Sequence, residues 1–231
     1  MAVEIPQLRL CHAPRSNPRD ARGRFDAFIT GISDPHVRLR QEEVVIAAVE
    51  EQNLFFVEHE AGHLVGTTGF YRHGSESNLF AEIGSTLVHP ECRGVRLQMI
   101  MYRYIISLEW LAYKPLQPVI AVVDDGAVGS YTNIERCGFV RLDSAPERLR
   151  RAKPNQDWTP IESGEQRLYR LTREGIADSL RFVADNGARL TLTNRDGITR
   201  FLLSVEFNFL RQQGMSDELR LEAEIVRNST Y

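Results

Sequence analysis

The sequence predicts a mixed α/β fold in which a largely antiparallel sheet is flanked by helices and followed by a mainly helical C-terminal extension. Three observations predict this class. Residues 54–88 alternate between faces and are rich in β-branched and aromatic side chains, which favours neighbouring strands. An apolar segment with helical spacing follows them. An aliphatic run and a second helical segment come next, an order typical of one sheet covered by helices.

The length and composition limit the class of protein. At roughly 150 residues per domain, 231 residues correspond to one domain, expected at 1–172, and an extension, expected at 173–231. With 42% hydrophobic and 26% charged residues, the chain has enough apolar material for a packed core. The net charge of −3 lacks the basic surplus of a nucleic-acid binder. No apolar run approaches the roughly 20 residues of a membrane span, so no membrane partner is expected.

The cysteines and histidines indicate neither a disulfide framework nor a metal site. Cys11, Cys92 and Cys137 form no CxxC pair and have no histidine at zinc-ligand spacing, and no HExxH pattern occurs. The N-terminus has an early acid and proline where a secretory signal would be basic and then apolar. We therefore expect a cytoplasmic protein without a bound metal.

The segment before residue 54 is expected to begin with a short strand at 8–11. The Pro-, Arg- and Gly-rich segment 14–23 is typical of a loop. A helix is expected at 40–51, because apolar residues such as Val44 and Ala48 recur there at helical spacing.

Three strands are expected next, at 54–58, 63–71 and 79–88, with a turn at 60–62 that makes the first two a hairpin. Alternation in the third strand places its side chains on two faces. One face has Leu79, Ala81, Ile83, Ser85 and Leu87, and the other has Phe80, Glu82, Gly84, Thr86 and Val88.

The remaining elements of the domain alternate between helix and strand. Gly138 is expected to end the second of these helices. The predicted elements are a helix at 97–112, a strand at 119–123, a helix at 127–137, a strand at 139–142, a long loop at 143–164 and a strand at 166–172.

The extension is predicted to be mainly helical. Helices are expected at 174–186, 197–213 and 217–227, and a short strand at 189–193. The helix at 197–213 carries apolar residues all round, so it is expected to pack on the core, on a second copy in a homodimer, or on an acyl chain.

The segment 87–98 contains the most informative chemistry. A turn from a strand into a helix leaves several backbone N–H groups unpaired, and with the helix dipole these suit a phosphate or pyrophosphate. Arg93 and Arg96 add cationic donors at the same rim.

Together with Glu135-Arg136-Cys137-Gly138-Phe139, this segment resembles the GNAT N-acyltransferase family. In that family, V-x-P-x-x-R-G-x-G-x-G grips the pyrophosphate of acyl-CoA, and E-[KR]-x-G-F closes the next helix. The resemblance covers about 54–142 well. It implies a GNAT-type sheet, an acyl-CoA co-substrate, most simply acetyl-CoA, and no metal. The residues that it implies for cofactor binding are Leu87, Val88, Arg93, Gly94, Val95, Arg96, Leu97 and Gln98.

The chain departs from the family pattern at four positions. Arg96 and Gln98 stand where glycines usually follow the arginine. Ile134 stands where many relatives have a tyrosine that protonates the leaving thiolate, and Ala127 stands where an asparagine is common.

Three residues are candidates for the catalytic roles. Glu82 corresponds to a strand glutamate that acts in relatives as a base, directly or through water; its alternative role is to pair with a nearby arginine. Tyr131 is the candidate acid, or else a packing residue. His89 has a suitable pKa for a base, or else is a turn residue.

The first functional hypothesis is transfer of an acyl group, most simply acetyl, from acyl-CoA to a primary amine of a small molecule or peptide, by direct attack through a tetrahedral intermediate. One alternative keeps the fold and takes acyl-carrier protein as the donor. Another, suggested by Ile134 and Ala127, is a non-catalytic CoA-binding or sensor module.

Overall fold

One mixed sheet organises this computed structural model, which describes residues 4–34, 36, 40–74, 79–113 and 118–229. Its strands are β1 (Gln7–His12), β2 (Leu54–His59), β3 (Leu64–His73), β4 (Phe80–Val88), β5 (Val119–Asp124), β6 (Phe139–Leu142), β7 (Gln166–Leu171), β8 (Arg189–Thr193) and β9 (Thr199–Val205). Their order across the sheet is β6-β7-β5-β4-β3-β2-β1-β9-β8. The pairs β4–β5 and β1–β9 are parallel, and the other neighbouring pairs are antiparallel.

Helices cover both faces of the sheet. They are α1 (Pro18–Ile32), α2 (Glu42–Glu50), α3 (Leu97–Ala112), α4 (Val128–Arg136), α5 (Glu147–Ala152), α6 (Thr159–Glu162), α7 (Arg173–Asn186) and α8 (Met215–Asn228). The largest apolar cluster joins the sheet to α3, α7 and α8, and a second joins it to α1 and α2. In the described part of the chain, no helix is long and apolar enough to cross a bilayer.

The fold class predicted from the sequence is confirmed: the sheet is mixed, mostly antiparallel and flanked by helices. One local prediction before β2 is wrong. The segment 14–23, expected to be a loop, contains the start of α1, because Pro18 occupies the first helical turn and the Asn17 side chain accepts a hydrogen bond from the Asp20 N–H. Proline at that position begins a helix as readily as it marks a loop.

The helix expected at 197–213 is also wrong, because Thr199–Val205 is strand β9. Phe201, Leu203 and Val205 point into the core, whereas Leu202 is exposed, which is the period of a strand. Leu202 is apolar although it lies between the two inward-facing residues Phe201 and Leu203, so the segment resembled a helix with apolar residues on every side. Because this helix does not form, the structure gives no support to the homodimer contact that was predicted on it. The boundary at residue 172 stays a prediction; β8 and β9 extend the same sheet through the β1–β9 pair.

A bulge in β4 overturns part of the predicted alternation. Ser85 has a φ of +53°, and the β3–β4 register shifts by one residue between Thr67 and Gly69. Ile83 and Val88 consequently belong to the same core cluster, so the shared face expected for Glu82 and Val88 is wrong. Alternation alone carries no sign of a residue inserted in this way.

The same strand parts from its neighbour. β4 and β5 pair only through Ala81 with Val119 and Glu82 with Ile120, at their N-terminal ends. Beyond these pairs the two strands diverge and leave a cleft between their C-terminal halves.

Candidate active site

The cleft between β4 and β5 has a volume of about 1140 Å³. Its walls come from the diverging halves of the two strands, the turn between β4 and α3, and the first part of α4. A cleft at the C-terminal ends of adjacent parallel strands is a common place for a ligand in an open α/β sheet.

The turn between β4 and α3 presents backbone N–H groups to this cleft. The N–H groups of residues 94–99 donate to no acceptor among the described residues, and α3 begins at Leu97 without a side-chain cap. Gly94 has a φ of +84° and Arg96 a φ of +63°, so the chain makes two left-handed steps here. Unpaired N–H groups at a helix start attract an anion.

Most of the residues that the sequence predicted for cofactor binding line the cleft. These are Leu87, Val88, Arg93, Gly94, Arg96, Leu97 and Gln98. Val95 instead lies in the core beneath the turn, where it is 3% exposed.

Arg93 also holds the turn in place. Its Nε donates to the Val88 carbonyl oxygen at 3.1 Å, and its Nη2 lies 3.4 Å from Asp34 Oδ2. Arg93 thus connects the turn between β4 and α3 to the end of β4 and to the segment after α1. Arg96 is therefore the freer of the two predicted cations.

Gln98, which replaces a glycine of the family pattern, points its side chain toward α4. Its Nε2 donates to Tyr102 Oη at 3.1 Å, and its Oε1 accepts from Asn133 Nδ2 at 2.8 Å. The amide thus joins α3 to α4. Burial raises the pKa of Tyr102 to about 12, so its hydroxyl stays protonated near neutral pH.

The cleft is positively charged although the chain has a net charge of −3. Cationic lining residues outnumber acidic ones by three among the described residues. The cations are Arg40, Arg93, Arg96, Arg136, Lys153 and Arg195, and the acids are Asp34, Glu82 and Asp124. Such an excess attracts an anionic ligand.

Arg195 comes from the turn between β8 and β9, and no sequence pattern indicated a role for it. It lies just before the segment that was predicted to be a helix at 197–213. Pairing of β9 with β1 and of β8 with β9 instead carries the turn to the rim of the cleft. The Arg195 side chain pairs with no carboxylate in the described ranges.

Glu82 lies where β4 and β5 last pair, and cations surround its carboxylate. Arg40 Nη2 donates to Oε1, Lys153 Nζ donates to Oε2 at 2.7 Å, and His73 Nε2 lies 3.4 Å from Oε2. The Glu82 side chain is 7% exposed. The nearby His73 and the charges of Arg40 and Lys153 outweigh the effect of burial and hold the Glu82 pKa well below its ordinary value.

A histidine and a carboxylate meet on the opposite wall. His36 Nδ1 lies 3.1 Å from Asp124 Oδ1, and both side chains line the cleft. Asp124 ends β5, and its Oδ1 also accepts from the Gly126 N–H at 3.0 Å, which fixes the carboxylate. This carboxylate can orient the imidazole and leave Nε2 available to a ligand. Sequence analysis missed the pair because 88 residues separate its members.

Tyr131 and His89, the other predicted catalytic residues, do not join Glu82. Neither lines the cleft. The Tyr131 ring lies under the Arg167 guanidinium, whose carbon is 4.0 Å from the ring centroid. His89 Nδ1 lies 3.3 Å from Glu91 Oε1. Their catalytic roles stay predictions that this geometry does not support.

The cysteines offer no activated nucleophile. Burial raises the pKa of Cys11, Cys92 and Cys137 to about 12 in each case, so the thiols stay protonated near neutral pH. Among the described residues, no three histidine, cysteine or carboxylate side chains come together in a group that fits a metal ion.

Comparison with known proteins gives similarity of structure only. No model of a protein family matches the sequence, and no curated protein matches it. A GNAT-family acetyltransferase from Staphylococcus aureus Mu50 is 14% identical with a TM-score of 0.52, and the match covers 71% of this chain and 98% of that one. Naa50 from Arabidopsis thaliana, in complex with the bisubstrate analogue CoA-Ac-MVNAL, is 12% identical with a TM-score of 0.51, over 72% and 99%. Rv2747 from Mycobacterium tuberculosis, in complex with CoA and NLQ, is 16% identical with a TM-score of 0.51, over 71% and 98%.

Proposed function

We propose that this chain, which has the fold of the GNAT acetyltransferases, transfers an acyl group from acyl-CoA to a primary amine. The observation that carries the proposal is the turn before α3. Its N–H groups at 94–99 have no acceptor in the described structure, and Gly94, Arg96, Leu97 and Gln98 of this turn line a positively charged cleft between diverging strands. A diphosphate needs such donors, and a pantetheine arm needs such a gap.

The residues present fit CoA. The N–H groups of 94–99 would hold the diphosphate, with Arg96 beside them. Arg195, at the rim, would meet a further phosphate of the nucleotide. The bound thioester supplies an activated acyl carbon, and acetyl is the smallest group consistent with the proposal.

In the reaction, the amine nitrogen forms a bond to the acyl carbon, the carbon–sulfur bond breaks, and the amine loses one proton while the leaving thiolate gains one. We assign the first proton transfer to His36, which Asp124 orients. Tyr102 lines the cleft, and we assign its hydroxyl as the hydrogen-bond donor that stabilises the leaving thiolate. Both assignments follow from side chains that face the cleft.

Glu82 has a different role in this proposal. Its low pKa makes the carboxylate a weak base near neutral pH. The pairing role considered beside catalysis therefore fits its surroundings better. We propose that Glu82 positions Arg40 and Lys153 at the end of the cleft.

A CoA-binding sensor is the second candidate, and one observation favours it. The single tyrosine of α4, Tyr131, lies outside the cleft, and the buried Ile134 is part of the wall instead. An enzyme of this kind would need its thiolate stabilised from another element, as proposed for Tyr102.

Thiol release separates these candidates. The protein is incubated with acetyl-CoA and a panel of primary amines, and free thiol and acylated amine are measured together. Equal amounts of both support the enzyme. Binding of CoA without thiol release from any acyl-CoA supports the sensor. Release only from acyl-carrier protein identifies that partner as the donor and contradicts acyl-CoA as the co-substrate.

A further inference from the structure

The apex of the cleft, where β4 and β5 last pair, contains more positive charge than its single carboxylate balances. Arg40 and Lys153 both contact Glu82, and all three side chains line the cleft. Two cations, Arg40 and Lys153, thus share one anion. The exposed fractions of the Arg40 and Lys153 side chains are 22% and 18%, so solvent compensates the extra charge only in part.

Several N–H donors of these cations have no partner in the described part of the structure. Arg40 uses Nη2 for Glu82 and Nε for Ser85 Oγ, and its guanidinium lies 4.0 Å from the centroid of the Tyr71 ring. A guanidinium has five N–H donors and an ammonium three. Lys153 uses one of them for Glu82. Because both residues line the cleft, their remaining donors are available to a ligand that binds there.

The Glu82 carboxylate is correspondingly unavailable to a ligand. Its Oε1 accepts from Arg40, and its Oε2 accepts from Lys153 and faces His73 Nε2. A substrate ammonium placed here would meet two positive charges before it reached a free lone pair. The apex therefore repels a purely cationic group and attracts an anionic one.

We propose that the acceptor amine also carries a carboxylate, which Arg40 and Lys153 bind at the apex of the cleft. An amino acid or another small amino-carboxylic acid belongs to this class. The carboxylate would restore charge balance at the apex, and the fork of Arg40 suits a planar acid group. This inference rests on the proposed acyl transfer for its substrate, but binding of the carboxylate is measurable without it.

Matched acceptors test the inference. Each common amino acid is compared with its carboxamide and, where one exists, with its decarboxylated amine, in the thiol-release assay with acetyl-CoA. Since charge-assisted hydrogen bonds to a carboxylate are lost in the amide, we expect kcat/KM to fall by about tenfold or more from acid to amide. Amides or decarboxylated amines that react as well as the acids would overturn the inference.

Two variants assign the effect to the apex. Lys153→Gln should raise KM for the acid by about tenfold and leave KM for its amide nearly unchanged. Arg151→Gln is the matched control. This substitution removes the same charge, and Arg151 lies on α5 without lining the cleft. Arg40→Gln should act like Lys153→Gln. An equal effect of Lys153→Gln on acid and amide would contradict binding of the carboxylate.

A binding measurement keeps this inference separate from the proposed function. The same acids and amides are titrated into the protein with saturating CoA, and binding is followed by calorimetry. Acid binding that Lys153→Gln weakens supports the inference even if no thiol is released, an outcome in which only acyl transfer fails. Thiol release with equal binding of acids and amides leaves acyl transfer standing and overturns the inference.

Discussion

The Lys153 ammonium and the Glu82 carboxylate, 71 residues apart in the sequence, lie 2.7 Å apart at the apex of the cleft. Glu82 is on a central strand, and Lys153 directly follows the short helix α5. Their contact joins the sheet to the segment between β6 and β7. We therefore expect the stability of the folded protein to depend on the charge of Glu82.

Replacement of Glu82 tests this link through the pH dependence of stability. Glu82→Gln leaves Arg40 and Lys153 without their anion, so we expect the free energy of unfolding at pH 7 to fall by about 3 kcal/mol. The folded pKa lies well below the ordinary value of 4.5, so the Glu82 contribution is present above pH 4.5 and is lost as pH falls through the folded pKa. Urea unfolding should therefore show the difference between the two proteins shrinking below pH 4.5. A difference that is constant down to pH 3 contradicts this account.

Glu109 predicts the opposite trend in a separate pH range. Burial raises its pKa to about 7 although Arg72 Nη2 donates to Oε2 at 2.5 Å. The folded protein therefore holds this proton where the unfolded chain has lost it, and stability should fall between about pH 4.5 and 7. In Glu109→Gln this fall should be absent. Urea midpoints at pH 5 and pH 7.5 check it; the same fall in the variant and the parent protein would be inconsistent with the assignment.

Arg195 should strengthen binding of CoA from outside the predicted domain. Because it lines the cleft and pairs with no carboxylate in the described chain, Arg195→Gln should raise Kd for CoA by about tenfold. The effect should shrink in high salt. Arg189→Gln is the control, since Arg189 is exposed on β8 and does not line the cleft. Calorimetric titration that finds the two variants equal removes Arg195 from the site.

His36 should control the rate of transfer. His36→Gln removes the proposed base, so we expect kcat to fall about 100-fold, with little change in KM for acetyl-CoA. Asp124→Asn should cause a smaller fall, because Asp124 only orients the ring. Full activity of the His36→Gln variant would show that another group deprotonates the acceptor amine.

The parts of the site that were predicted from the sequence are local. Three consecutive features predict the turn at 87–98: a strand, a His-Pro break and a helix. The structure has all three. Seven of the eight residues expected to bind the cofactor line the cleft. Short-range patterns are enough when the ligand meets consecutive backbone groups.

The parts that sequence analysis missed depend on long-range pairing or on one backbone angle. Arg40, His36 and Lys153 reach the cleft through packing of separate elements, and no spacing along the chain relates them to Glu82 or Asp124. The bulge depends on the positive φ of Ser85, which the pattern of polar and apolar residues does not predict. The predicted helix at 197–213 failed because three consecutive apolar residues match either period, and pairing with β1 decided for a strand.

The central claim is that the turn before α3 holds the diphosphate of CoA, and calorimetric titration of the full chain with CoA tests it most directly. The account predicts one site per chain, weakened by salt and weakened further when Arg96 and Arg195 are both replaced by glutamine. Absence of binding, or binding that this double variant leaves unchanged, would contradict it.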